Sequence, residues 1–197
     1  DSIELHAINL KLQTTLFVST DKACSPINTY GMAKAISEQL MIEKAYYMKN
    51  IKFVNIRYGN VLNSRGSIIP LLHNIGNDNR KSFFSLTHKD MTRFVMTLEQ
   101  SVDLINYALL NGETGDTVIP ELISMNVIDM LEIFSEKYNK PIKITGIRPG
   151  EKMLESLINS TQAGRIIKKN SYYHIKSIFD FNELIDDTKL IDYNSKI

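Results

Sequence analysis

The sequence predicts an α/β fold: a Rossmann-like, doubly wound parallel sheet joined to a smaller α+β region. Three observations carry this. A near-continuous apolar run at 14–18 suits a parallel strand covered on both faces. Longer segments with apolar residues three and four apart follow it, as amphipathic helices do. Strand and helix patterns then alternate along the chain, which is the order that builds a parallel sheet.

The elements follow in order. Residues 1–13 give no clear pattern. Strand 14–18 is followed by helix 29–48, in which Ala33, Ile36, Leu40 and Tyr47 are spaced for one buried stripe. Met32, Met41 and Met48 read as packing residues. Strand 52–57 feeds Tyr58-Gly59-Asn60, where Gly59 suits a tight turn with close backbone approach. Residues 61–95 read as an excursion from the sheet, with a short helix starting at Pro70-Leu71-Leu72, a polar loop at 76–81 and a short strand at 82–86. Thr97 opens a helix with capping-box spacing to Gln100 and a stripe of Leu98, Val102, Ile105 and Leu109. Asn111-Gly112 ends it. Residues 117–119 form a strand ended by Pro120. Helix 126–138 carries Val127, Met130, Leu131, Phe134 and Tyr138 on one side. Residues 142–147 form a strand running into Arg148-Pro149-Gly150, and 151–159 reads as helix. Beyond Ser160 the chain is polar and irregular, with a short strand at Tyr172-Tyr173.

Composition bounds the function. With 43% hydrophobic residues, 197 residues can build a core. Twenty-three basic against 22 acidic side chains leave no field for nucleic acid or a membrane surface. No apolar run approaches the roughly 20 residues of a membrane span. The single Cys24 excludes an internal disulfide and fits a reducing, cytoplasmic setting. His6, His73, His88 and His174 match no metal spacing, so no metal is expected. The chain starts at Asp1 rather than Met, which reads as a fragment or trimmed product.

The most informative stretch runs from Val18 to Lys34, V-S-T-D-K-A-C-S-P-I-N-T-Y-G-M-A-K. Ser19, Thr20, Asp21 and Lys22 stand at a strand's carboxyl end, where open α/β sheets build their sites. Tyr30 and Lys34 are four apart and share one helix face. An ammonium beside a phenol favours the phenolate, so such a pair can exchange a proton with a substrate hydroxyl. Arg93 and Arg148 can each grip phosphate oxygens with two N–H groups.

This stretch resembles the active-site region of the extended short-chain dehydrogenase/reductases, and within them the nucleotide-sugar 4,6-dehydratases acting on UDP-N-acetylglucosamine. Four further motifs carry the likeness: R-Y-G-N-V at 57–61, S-R-G-S-I-I-P at 64–70, M-T-R-F at 91–94 and R-P-G-E-K at 148–152. It extends from about Thr15 to about Lys176. The resemblance implies a bound NADP or NAD, contacted by Ser19, Tyr30, Lys34 and Tyr58. It implies that Tyr30, helped by Lys34 and Thr20, takes the C4 hydroxyl proton of a UDP-sugar. Lys22 would then remove the C5 proton, and Asp21 would protonate the departing C6 hydroxyl. Asn60, Val61, Arg65, Arg93, Arg148 and Glu151 would hold the sugar and diphosphate. Residues 1–60 and 97–120 would then be the remnant of a dinucleotide-binding domain, and 61–96 and 121–197 the nucleotide-sugar region. Homo-oligomers through helices flanking the site are implied too. The Asp21-Lys22 pair favours dehydration, with or without C5 inversion, over 4-epimerisation, which needs no second acid/base pair. The family's Gly-rich strand–turn–helix has no counterpart here. A truncated, non-catalytic nucleotide-sugar binder or structural component therefore stands as the alternative, beside a UDP-sugar 4-epimerase.

Overall fold

A computed structural model describes residues 12–179 and 193–196, so the reading of residues 1–11 lies outside the described part. Strand β1, Thr14–Thr20, runs into a single 3-10 turn over Asp21–Ala23. Helix α1, Thr29–Tyr47, is capped by Asn28, whose side chain accepts from the Gly31 N–H. Strand β2, Lys52–Tyr58, then pairs parallel with β1, from Thr14 against Lys52 to Thr20 against Tyr58. Alternation along β2 sends its side chains to opposite faces. Phe53 packs under Met41 and Ala45 of α1, while Val54 and Ile56 pack on the other face.

The chain next leaves the sheet as predicted. Strand β3 is Asn60–Val61, helix α2 is Ile68–Asn77, β4 is Phe84–Leu86 and β5 is Thr92–Met96. Helix α3, Leu98–Asn111, starts with the full Thr97–Gln100 capping box. Its Leu104 and Ala108 cover Val54 and Ile56 of β2. Strand β6, Thr117–Pro120, rejoins the sheet parallel to β2. Strand β7 is Ile123–Asn126 and helix α4 is Val127–Tyr138. Strands β8, Ile142–Ile144, and β9, Ser156–Ile158, precede the one-turn helix α5, Ser160–Ala163. Strands β10, Ile166–Lys169, and β11, Tyr172–Ile175, form a hairpin, and β12, Tyr193–Asn194, pairs with β9.

The main sheet has the order β1-β2-β6-β11-β10, its last two strands antiparallel. Residues 166–175, which the sequence groups with the ligand region, therefore hydrogen-bond into the sheet. Three smaller sheets, β3-β5-β7, β4-β8 and β9-β12, surround the excursion. A core of Leu72, Phe84, Leu86, Met130, Leu131 and Phe134 joins α2, β4 and α4. The stripe expected on α4 is thus the one that is buried.

Three expectations are corrected. On α1, Ile36, Leu40 and Tyr47 are exposed, and the buried face is Glu38, Met41, Ile42 and Ala45. This helix has two apolar faces, and the sheet takes the one carrying Glu38 because buried Arg57 neutralises it through paired bonds of 2.9 and 2.7 Å. On α3, Leu98, Val102 and Leu109 are exposed, while Ser101, Leu104 and Ala108 are buried. Residues 151–159 are coil and strand, not helix. Here Leu157 and Ile158 are both fully buried against Phe94, Ile119 and Ile175.

Candidate active site

The carboxyl end of β1 delivers Thr20, the turn delivers Asp21 and Lys22, and the first turn of α1 delivers Tyr30. Gly31 sets their spacing: a Cβ there would lie 2.3 Å from the Lys22 carbonyl oxygen. Only glycine lets the helix start so close to the turn. Gly59 acts likewise after β2, since a Cβ would stand 2.7 Å from Leu122. Asn28 donates to the Gly150 carbonyl at 3.0 Å and so ties the start of α1 to the Arg148-Pro149-Gly150 turn.

A cleft of about 600 Å³ opens between these elements and the excursion. Thr20, Lys22 and Tyr30 line its polar end, with Asn60 and Val61 beside them. Arg93, Arg148 and Glu151 also face it. The far end is apolar, walled by Leu72, Met130 and Leu131. A polar mouth and an apolar recess suit a ligand with a flat ring at one end and hydroxyls at the other.

The charges are ordered. Thr20 Oγ1 donates to Asp21 Oδ1 at 2.8 Å, and Lys22 Nζ lies 3.0 Å from the same oxygen. Asp21 is 1% exposed and does not line the cleft. The expectation that Asp21 itself reaches a C6 hydroxyl is therefore not what this geometry provides; it meets the cleft through Thr20 and Lys22. Lys34 Nζ donates to the Val18 carbonyl at 3.0 Å and lies over the Phe17 ring. Tyr30 is 56% exposed.

Ser19, Tyr58 and Arg65 fall outside the cleft. Ser19 is buried, its hydroxyl without a partner. Tyr58 turns under α3, where its hydroxyl donates to the Ser101 carbonyl at 3.2 Å and burial raises its pKa. Arg65 is exposed in the loop before α2 and does not line the cleft. Glu151 accepts the Arg148 backbone N–H at 3.3 Å, so it shapes the turn that presents the Arg148 guanidinium. Arg93 donates to the Thr92 carbonyl at 2.7 Å and also faces the cleft.

Sequence reasoning missed Glu155 and Lys152. Glu155 is buried, with Oε1 3.7 Å from Lys22 Nζ and Oε2 3.5 Å from Lys152 Nζ. Burial, then the neighbouring Asp21, pushes its pKa above the ordinary carboxylate value, against Lys22, Lys152 and Arg93. Lys152 stood inside R-P-G-E-K and was the available signal. A helix over 151–159 would place Lys152 and Glu155 at i, i+3 on one face, an ordinary pairing that does not point to a site.

A family model described as polysaccharide biosynthesis protein matches residues 2–177. A UDP-glucose 4-epimerase of Rickettsia akari (strain Hartford) is 40% identical over 175 residues, covering 86% of this chain and 50% of its own. This chain thus spans about half the length of the curated relatives it matches. Among solved structures, Pen from Bacillus thuringiensis superposes with a TM-score of 0.83 at 32% identity, over 96% of this chain and 59% of that one. DesIV from Streptomyces venezuelae, a dTDP-glucose 4,6-dehydratase with NAD bound, gives 0.61 at 15% identity, over 75% and 52%. That likeness shows the shared Rossmann-like fold alone.

Proposed function

We propose, from the premise that this chain belongs to the polysaccharide biosynthesis protein family, that its cleft carries out NAD(P)-dependent 4,6-dehydration of a UDP-sugar, UDP-N-acetylglucosamine first. One observation carries this reading: Lys22, backed by buried Asp21, shares one cleft with Tyr30. Oxidation at C4 needs one acid/base group. Loss of water across C5 and C6 needs a second, and the Asp21–Lys22 couple supplies it.

The residues present fit one end of a nicotinamide cofactor. Tyr30 and Lys34 stand beside β1, the outermost strand of the main sheet among the described residues, where Val18 is 38% exposed. A nicotinamide held there would supply hydride acceptance at C4 and hydride donation to C6, the latter balanced by a proton returned to C5. Tyr30 accepts the C4 hydroxyl proton, assisted by Thr20, which lines the same cleft, and by Lys34 one helical turn on. The 4-ketone acidifies C5, and Lys22 removes that proton. The C6 oxygen leaves as water with a proton from the Asp21–Lys22 couple. Asn60, Arg93 and Arg148 hold the sugar and diphosphate. A homo-oligomer built on the exposed face of α1 completes the reading.

The test is incubation with UDP-N-acetylglucosamine and either cofactor, followed by mass spectrometry. A product lighter by one water supports dehydration. An isomer of unchanged mass supports the second reading, 4-epimerisation, which the Rickettsia relatives favour by name. Tyr30→Phe should lower kcat about 10²–10⁴-fold with little change in KM. A rise in KM with kcat unchanged would remove Tyr30 from the chemistry.

A further inference from the structure

A second pocket of about 180 Å³ adjoins the cleft, and Lys22, Arg93 and Glu151 line both. Glu155 lines only the second pocket, at 3% exposure. Its backbone is clamped from behind. The Glu155 N–H donates to Ser195 Oγ at 3.0 Å, and the Ser195 N–H donates to the Glu155 carbonyl at 2.8 Å. Ser195 is fully buried, and its hydroxyl also pairs with Thr92 Oγ1 at 2.8 Å.

The side chain stands among charges. Asp21, Lys22, Glu155 and Lys152 alternate in sign along one line of contacts. Lys152 Nζ donates to the Cys24 carbonyl at 2.7 Å, which ties it to the turn that carries Lys22. Glu155 Oε2 accepts no hydrogen bond, although burying a carboxylate that way is costly. Separations of 3.5 and 3.7 Å are too long for a hydrogen bond, so Glu155 passes no proton directly to Lys22. They are short enough for a strong field in a water-poor setting. Lys22 is 32% exposed in its side chain, and Asp21 holds its ammonium from one side at 3.0 Å while Glu155 faces it from the other at 3.7 Å.

We propose that Glu155 is a positioning residue for the Asp21–Lys22 couple, its carboxylate fixing where the Lys22 ammonium stands between the two pockets. This rests on the proposed dehydratase reading for its catalytic meaning, but the positioning itself does not. Glu155 sees four charged groups: Asp21 and Lys22 from the turn, Lys152 from its own loop and Arg93 from β5.

The first experiment needs no turnover. Lysines of the folded protein are acylated competitively at a fixed, mildly alkaline pH and counted by peptide mass spectrometry. In Glu155→Gln, Lys22 labelling should rise severalfold relative to exposed Lys49, because the side chain loses the carboxylate that faces it at 3.7 Å and reaches solvent more freely. Glu155→Asp should give an intermediate rate, and it carries the same test should Glu155→Gln not fold. Unchanged Lys22 labelling in a folded variant overturns the proposal. The second experiment is the dehydration assay, where Glu155→Gln should lower kcat about tenfold, leave KM within about twofold, and alter the acid limb of the pH profile. Altered labelling without any turnover by the wild type would uphold the positioning role and sink the dehydratase reading. Turnover with labelling and kcat both unmoved in Glu155→Gln would do the reverse.

Discussion

Glu155 shows how a single side chain can be out of place by every local rule and still be explained. Its carboxyl is desolvated and stands near Asp21, and both effects raise its pKa above the ordinary value, while Lys22, Lys152 and Arg93 oppose them. A carboxyl whose folded pKa lies above its unfolded value of about 4.3 contributes its full stability below that value. That contribution is lost as pH rises through the folded pKa. The wild type should therefore lose stability relative to Glu155→Gln over this window, and the difference should level off above it. Urea unfolding of both proteins across the acid range measures this directly. A stability difference independent of pH would mean that Glu155 does not titrate differently in the folded state.

At the scale of elements, α1 is the informative case. Its extent was legible in the sequence, because Asn28 caps it and apolar residues recur through it. Its orientation was not, because the helix carries two apolar stripes and hydropathy alone does not choose between them. The choice is made by Glu38, which a sequence pattern assigns to solvent, and by Arg57 near the carboxyl end of β2. Arg57 also donates to the Leu157 carbonyl at 2.6 Å and to Gln162 at 2.9 Å, so it ties α1 to β9 and α5 as well. Such long-range partners leave no trace in local spacing. The same holds for 151–159, where the pairing with Tyr193 and Asn194 and the Ser195 clamp override a helical pattern. By contrast α4, Gly59, the Thr97 capping box and the Thr20–Lys22–Tyr30 grouping were legible, since each is encoded within a few residues. Removing one member of the buried pair, as in Glu38→Ala, should cost about 3–5 kcal/mol by stranding the Arg57 guanidinium. Replacing both, as in Glu38→Leu with Arg57→Met, should recover most of that loss. Thermal and denaturant unfolding of the three variants tests this. A double variant no better than the single one would show that Arg57 is needed for its other contacts instead.

At the scale of the whole molecule, the chain leaves the main sheet after β2, rejoins it at β6, builds the rest of the cleft, and returns at β10 and β11. The return is locked by a buried cluster at the far end of β6. Asp116, fully buried, holds His174 Nδ1 at 3.1 Å and Lys176 Nζ at 2.7 Å, and takes the Glu113 N–H at 3.0 Å. His174 in turn meets the Tyr107 hydroxyl at 3.1 Å on α3. Because β9 precedes this hairpin and shares the Phe94, Ile119 and Ile175 core with it, the cluster also braces the loop that carries Glu155. Sheet and cleft should therefore unfold together. Asp116→Ala removes three partners at once, leaves buried His174 without its carboxylate and Lys176 with Glu113 alone, and should cost about 1–3 kcal/mol. Far-UV dichroism reports the helices and sheet, while tyrosine fluorescence reports Tyr30 and Tyr138 among other rings. Both signals should shift to the same lower midpoint in Asp116→Ala, as expected of one cooperative unit. Amide exchange gives the sharper reading: protection should fall in β6 and β11 and equally in β4, β5 and α4. If the cleft amides kept their protection while the sheet weakened, the excursion would be a separate folding unit. The Glu155 loop would then owe nothing to the cluster that closes the sheet.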